Sequence, residues 1–322
     1  MISYLIKIFI KFSIVAVLLI FSMTTQAFAA PTSIAQMSAS DFFKSGVEKI
    51  QSGDLEQALV EFTQAIRLNS QLAGAYSNRC LIYIQLADYP KAAEDCTKAL
   101  QLNPDSKVIA AERREHWRAS AYLNRGLAYY RQARYLEAIA DYNQMIQLKP
   151  FDYRAYYNRG LALAQQQDYQ KAIADYNQAL RQIQAPYSQE MATIYNDRGL
   201  AHFQLGNISR AMQDFSQAIR LNANDARAYY NRGCVCHRQS DYAGSIRDFT
   251  LSLQRNPNQA EAYVHRGIAR YQLRYQQAAL EDLQKAAAYF SNQGQMVAYQ
   301  QTLNLIEKIQ QQSQSNVESE IA

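Results

Sequence analysis

The sequence predicts an all-α solenoid of stacked helical hairpins, and three observations lead to that expectation. A hexapeptide, Ala155-Tyr156-Tyr157-Asn158-Arg159-Gly160, recurs unchanged as Ala228-Tyr229-Tyr230-Asn231-Arg232-Gly233 in this chain of 322 residues. Setting its last residue at position 8 of a 34-residue frame places equivalents at Gly46, Cys80, Gly126, Gly160, Gly199, Gly233 and Gly267, and in every frame a small residue follows twelve places later (Ala58, Ala92, Ala138, Ala172, Ala211, Ser245, Ala279). Each frame also contains two apolar stripes at helical spacing with a short polar turn between them.

The stripes account for each hairpin. Positions 4, 8 and 11, as in Tyr156, Gly160 and Leu163, share one face of a first helix. A turn such as Asp88-Tyr89, Arg134-Tyr135, Asp168-Tyr169 or Asp241-Tyr242 leads to a second stripe at positions 20, 24 and 27, as in Ala172, Tyr176 and Ala179; position 27 is otherwise small except for Met145. Small residues at 8 and 20 let two backbones approach, and the large residue at 24 fills the adjoining space. One hairpin cannot bury both its faces, so neighbours must stack, with atypical units at the ends.

A 34-residue period with this small and aromatic spacing resembles the tetratricopeptide repeat over roughly residues 39 to 293. The resemblance implies a right-handed superhelical solenoid of about seven hairpins. The expected repeats are 39–72, 73–106, 119–152, 153–186, 192–225, 226–259 and 260–293. It also implies a protein or peptide ligand and no cofactor.

Ahead of the repeats, residues 1–29 read as a secretory signal peptide: Lys7 and Lys11, the apolar run Ile14 to Phe21, then Ala27-Phe28-Ala29 as a small-x-small cleavage site. A membrane anchor is the alternative, but the uncharged apolar segment from Phe12 to Met23 is short for a span. No Cys follows the site, which disfavours a lipoprotein. The mature chain is expected to begin at Ala30, outside the cytosol, in a periplasm or thylakoid-type lumen, with no stable membrane span. Removing the two lysines takes the formal charge from +5 to +3, too small an excess to predict nucleic-acid binding.

Residues 30–38 read as a polar linker. The first frame is degenerate, with Ser45 and Glu61 where later frames carry Arg and Asp. Residues 107–118, built on Ala-Ala-Glu-Arg-Arg-Glu, predict a lengthening of the next first helix by about three turns. A shorter insertion, Tyr187 to Met191, extends the fifth repeat's first helix, with Ser188 as its N-cap. Asn292-Gln293-Gly294 reads as a helix stop. Met296, Tyr299, Leu303, Ile306 and Ile309 then recur at helical spacing, predicting a capping helix over 294–309 that closes repeat seven; the Gln- and Ser-rich tail 310–322 is expected to be disordered.

Charge forms a ladder. Six frames pair an Arg at position 7 with an Asp at position 23: Arg79 and Asp95, Arg125 and Asp141, Arg159 and Asp175, Arg198 and Asp214, Arg232 and Asp248, Arg266 and Asp282. In an antiparallel hairpin turning near position 15 these positions face each other. A row of arginines can bind phosphates, but matched partners favour salt bridges within each repeat. Cys80 and Cys96 stand at the close-contact positions 8 and 24 of frame two, either as a disulfide or as two thiols filling small core sites. Cys234 and Cys236 point about 200° apart on one helix, so they can neither pair nor chelate one metal.

Enzyme chemistry finds no motif. His116, His202, His237 and His265 stand at scattered frame positions, Trp117 reads as packing in the insertion, and no phosphate loop or nucleophile elbow is present. The family's use of Lys and Asn at positions 5 and 9 to grip a chaperone's terminal carboxylate has no counterpart, since frame one carries Phe43 and Val47 there. What remains is an exported interaction scaffold or, alternatively, a non-catalytic accessory subunit of an envelope or lumenal enzyme.

Positions 2, 5, 9, 12 and 13 form a stripe beside the core stripe, and the resemblance places it on the inner, concave side. Here it carries Phe43, Leu123, Tyr130, Tyr157, Phe203, Tyr230 and Tyr271, with Arg131, Arg154, Arg227 and Arg238. These four arginines have no Asp sixteen residues later, so they are expected to be unpaired and to suit a peptide with apolar and acidic side chains. The alternative is that the apolar members pack between adjacent repeats.

Overall fold

The computed structural model describes residues 37–102, 111–184 and 188–321. The leader, the linker up to residue 36 and the first part of the 107–118 insertion lie outside the described residues. Among the described residues there are fifteen helices and no strand. They fall into two units, residues 1–150 and 151–322.

The first unit holds three hairpins: α1 (Ala39–Gln51) with α2 (Leu55–Leu68), α3 (Ala73–Gln85) with α4 (Tyr89–Leu102), and α5 (Ala111–Arg131) with α6 (Tyr135–Leu148). The second holds four: α7 (Tyr153–Gln165) with α8 (Tyr169–Gln182), α9 (Gln189–Gln204) with α10 (Ile208–Leu221), α11 (Ala226–Arg238) with α12 (Tyr242–Arg255), and α13 (Ala260–Gln272) with α14 (Gln276–Asn292). α15 (Met296–Ile321) follows. Within each unit a second helix packs against the first helix of the next hairpin, and successive first helices also touch.

Position 8 explains the closeness of each pair. A Cβ added at Gly160 would lie 2.7 Å from the Tyr176 ring, and one at Gly233 would lie 2.9 Å from Phe249, so a large residue at 24 requires glycine at 8. Repeat two solves the same contact covalently: Cys80 and Cys96, with Cα atoms 5.5 Å apart, form a disulfide.

The turns follow one rule. Position 15 has a positive φ in all seven repeats, yet only Gly53 and Gly206 are glycines there; Ala87, Ala133, Gln167, Ser240 and Arg274 take the left-handed conformation with φ of 59° to 64°. Position 16 then caps the second helix, with Asp54, Asp88, Asp168 and Asp241 accepting from the backbone N–H three residues on. First helices start similarly: Ser38 forms a capping box with Asp41, and Ser188 caps α9 as expected.

The described part of α5 begins at Ala111 and runs helically into repeat three; the first residues of the expected extension lie outside the described residues. Two expectations need correction. α15 runs on to Ile321, through the stretch expected to be disordered, because residues 296–321 contain neither Gly nor Pro and are rich in helix-forming Gln and Glu. Met296 stays 59% exposed at its start, and Thr302 lies on the buried face instead. Tyr299 joins the cluster around Ala260, Ala286 and Phe290, while Leu303, Ile306 and Ile309 pack on Leu283, closing repeat seven. Thr302 is tolerated there because its hydroxyl donates to the Ala298 carbonyl.

Relief of the left-handed turn is measurable. Gln167→Gly removes the Cβ penalty of ~1–2 kcal/mol, part of which the greater freedom of the unfolded chain offsets, leaving a gain of up to about 1 kcal/mol. A raised urea midpoint is expected, and a lowered one would show that position 15 does not hold this conformation.

Candidate functional site

The first-helix face is positioned by the charge ladder beneath it. All six arginines fork onto their aspartates, Nε and Nη2 each donating to one carboxylate oxygen at 2.6–2.9 Å. The aspartate side chains are only 1–8% exposed and the arginines 11–24%. The ladder is therefore consumed in structure and offers no row of free phosphate-binding cations.

Each guanidinium does more than pair. It lies over the position 4 tyrosine of its own helix, 5.1–5.9 Å from the rings of Tyr76, Tyr122, Tyr156, Tyr195, Tyr229 and Tyr263. Its Nη1 reaches back to position 25 of the preceding repeat: Arg79 to Thr63, Arg125 to Thr97, Arg198 to Asn177, Arg232 to Ser216 and Arg266 to Thr250, at 2.6–3.3 Å. The column of Thr, Ser and Asn at position 25 was legible in the sequence and carried this signal. Burial raises the Asp95 and Asp141 carboxyls above their ordinary value, against the lowering pull of Arg79 and Arg125.

The stripe of candidate binding residues is less free than its spacing suggests. Phe43 meets Phe62 edge-on at 5.7 Å and lies against Gly74 of the next repeat. Leu123 is half-buried, and Tyr130 packs at 5.6 Å from Tyr135. Tyr230 sits between Phe249 and His265, and Tyr271 lies in the cluster closed by α15, its hydroxyl donating to Gln312. Arg154 and Arg227 are not unpaired. Each forks back onto the cap aspartate two residues earlier, Asp152 and Asp225, which also accepts the arginine's own backbone N–H. These partners lie behind each arginine at the helix cap, not sixteen residues ahead as in the ladder. Arg131 and Arg238 are exposed, and Arg238 spreads over Phe203, 5.2 Å from its ring centroid.

What the second unit assembles instead is a polar chain across three successive first helices. Tyr157 on α7 donates its hydroxyl to Asp197 Oδ2 on α9 at 2.8 Å; Asn196 donates to Asp197 Oδ1, and Asn231 on α11 donates to Asn196 Oδ1 at 2.9 Å. Burial pushes the Asp197 carboxyl up, opposed by the nearby Arg227 charge and by the two hydrogen bonds. Burial beside that carboxylate drives the Tyr157 hydroxyl well above its ordinary value, so it stays a donor. Asp197 stands at position 6, where four other frames carry Asn78, Asn124, Asn158 and Asn231 and the end frames carry Lys44 and His265; the sequence shows it as the lone acid of that column. Leu200, 40% exposed, and the Phe203–Arg238 pair follow it along the helices.

The thiols do not add chemistry. Cys234 is half-buried and Cys236 buried, both free, and burial lifts each to about 11, away from the reactive thiolate range. Among the described residues no group of three metal-ligating side chains forms a site.

Tetratricopeptide repeat models match residues 73–106, 110–153, 123–188 and 226–259, and a TPR repeat model matches 199–240. The chain is a tetratricopeptide repeat protein. It is similar to a tetratricopeptide repeat protein from Parabacteroides merdae (TM-score 0.61, 19% identity, 82% of this chain and 98% of that one) and to Pseudomonas aeruginosa pilF (TM-score 0.55, 19% identity, 72% and 96%). At this identity the likeness is one of fold. Among curated relatives, sperm-associated antigen 1 of Rattus norvegicus is 33% identical over 69 residues, and mitochondrial import receptor subunit TOM70 of the same organism 39% over 64. The matched segments span 8% and 10% of those proteins.

Two measurements probe this tetratricopeptide repeat scaffold. In a double-mutant cycle on Arg232 and Asp248, each single alanine costs more than the ~0–1 kcal/mol of an exposed pair and approaches the ~3–5 of a buried one, while the double variant costs less than the sum. Zero coupling would mean that the two side chains act independently. The second concerns pH. Because the folded-state value of Asp197 is raised, its contribution is fully present below the unfolded value of 3.8 and is lost as pH rises through the folded one. Asp197→Asn removes this dependence, so its stability relative to the parent rises between pH 3.5 and 7. Denaturant midpoints that stay parallel across that window contradict the assignment.

Proposed function

We propose that the chain is an exported, non-catalytic scaffold that holds an extended segment of a partner protein on the first-helix face of residues 153–272 and so assembles a complex outside the cytosol. The observation that carries the binding part is the chain from Tyr157 through Asp197 and Asn196 to Asn231. It links α7, α9 and α11, and the half-buried Asn231 amide at its end, unlike the buried Asn196, can meet the N–H and C=O groups of an extended peptide. Leu200 and Phe203, with Arg238 above the ring, supply an apolar and cationic anchor beside it. The pairing of Arg154 and Arg227 with their cap aspartates removes much of the acidic preference that unpaired cations would impose.

The address rests on separate support. The charged, apolar and small-residue segments of residues 1–29 have the order of a signal peptide, and the Cys80–Cys96 disulfide suits an oxidising compartment. Among the described residues no helix is long and apolar enough to cross a membrane. No charge excess points to nucleic acid.

The test replaces Leu200, Phe203 and Arg238 together by Ser in the full chain, verifies helicity by circular dichroism, and compares partners captured from the periplasmic or lumenal fraction. Loss of two hot-spot contacts corresponds to a weakening of at least about tenfold for the partner that the parent retains. Undiminished capture by a folded variant places binding elsewhere. N-terminal sequencing of the recovered protein should read from Ala30, and an intact Met1 would overturn the export reading.

A further inference from the structure

Position 11 differs from repeat to repeat, and repeat five carries His202 there, between Leu163 of repeat four and Cys236 of repeat six. Repeats two and three carry Tyr83 and Tyr129 there, and the ladder arginines Arg79 and Arg125 lie 5.9 and 5.8 Å from those rings. Repeat seven carries Arg270, which turns into the hairpin and donates to Asp282 at 2.8 Å. His202 is shorter than those tyrosines and that arginine, and unlike Leu163 and Cys236 it brings a polar ring to the position. A recess of about 290 Å³ lies there, between α8, α9 and α10, lined by Asn177, Arg198, His202, Arg210, Gln213 and Asp214, with Ile173 as its apolar wall.

The lining has the chemistry of an anion site. Arg198 and Asp214 neutralise each other through their fork, and Asn177 Oδ1 accepts from Arg198 Nη1 at 2.6 Å. Arg210 is exposed at the rim and makes no ion pair among the described residues, which leaves one positive charge uncompensated. The His202 side chain belongs to a residue only 6% exposed, and its Nδ1 is buried with no hydrogen-bond partner. A buried polar atom in a folded protein commonly meets water or a bound group, and Nδ1 is open to either.

We propose that this recess binds a small oxyanion, a carboxylate or phosphate group, which Arg210 holds from the rim and whose charge lets His202 take up a proton. The site is separate from the first-helix face and independent of the export reading. The charged groups facing His202 are Arg198 on its own helix and Arg210 and Asp214 on α10, while α8 contributes the neutral Asn177. Burial, then the two arginines, hold the empty imidazole below its ordinary value, and Asp214 only partly opposes them. An anion beside Arg210 reverses that balance. Binding therefore strengthens as pH falls below the ordinary histidine value of 6.5, and the bound state protonates at higher pH than the free one.

The oxyanion can arrive as a free small molecule or as an acidic side chain of a docked protein. The experiment follows the four imidazoles of the full chain by nitrogen-15 NMR, with His202→Tyr assigning the His202 signals. Inorganic phosphate, succinate and an acetylated Gly-Glu-Gly peptide amide are titrated in turn, with sodium chloride at matched ionic strength as control. Saturable movement of His202, with its titration shifted to higher pH, is expected for at least one oxyanion and not for chloride. Arg210→Ala, an exposed change that leaves the fold intact, should weaken that binding about tenfold, the scale of one charge-assisted contact. His202→Tyr, which restores the residue of repeats two and three, should abolish it in calorimetry. Response to phosphate or succinate assigns a free ligand, and response to the peptide alone assigns a protein side chain; either upholds the site. No oxyanion response, an equal response to chloride, or unchanged affinity in Arg210→Ala overturns it.

Discussion

The fork between position 7 and position 23 is the contact on which the rest of the repeat depends. Nε and Nη2 of an arginine can both meet one carboxylate in essentially one orientation, so closing the fork sets the rotation of the first helix against the second. The remaining face of the guanidinium is covered by the position 4 tyrosine, and Nη1 is left to reach the preceding repeat. One side chain thus couples the hairpin's own geometry to the stacking of its neighbour. The carboxylates are nearly buried, and burial works against them, as the raised values of Asp95 and Asp141 show. Such a pair adds modest net stability, while breaking it strands a charge, and this favours registry as its main contribution.

With rotation set by the fork, close approach is set by positions 8 and 24. Glycine against a ring is the common solution, and a disulfide replaces it in repeat two, where neither partner is aromatic. The same economy explains the recess in repeat five. Position 11 lies at the outer side of the fork, and around His202, shorter than the tyrosine or arginine of repeats two, three and seven, a recess with a largely polar wall remains.

The first-helix face illustrates how packing alters a reading based on spacing. Its aromatic residues were expected to project as anchors, yet Phe43, Tyr157, Tyr230 and Tyr271 each have a ring, hydroxyl or cap-helix contact that engages them. Two of its four arginines are tied to capping aspartates. What is left for a partner is the half-buried Asn231 amide beside the Asp197 carboxylate, flanked by Leu200, Phe203 and Arg238. That surface reads main chain and one or two apolar side chains more readily than a run of acids.

The fold class, the seven hairpins, the matched Arg–Asp columns and the facing cysteines could all be derived from the amino-acid sequence, because each follows from a fixed offset inside a 34-residue frame, and a helix converts fixed offsets into fixed faces. The extent of α15 could not be derived so closely, since helix ends depend on caps and on what the last turns pack against. Nor could the free members of the binding face, the backward pairing of Arg154 and Arg227, or the recess beside His202. Those depend on which side chain reaches first for a shared partner across two or three helices, a competition of distance and burial that only the tertiary structure decides.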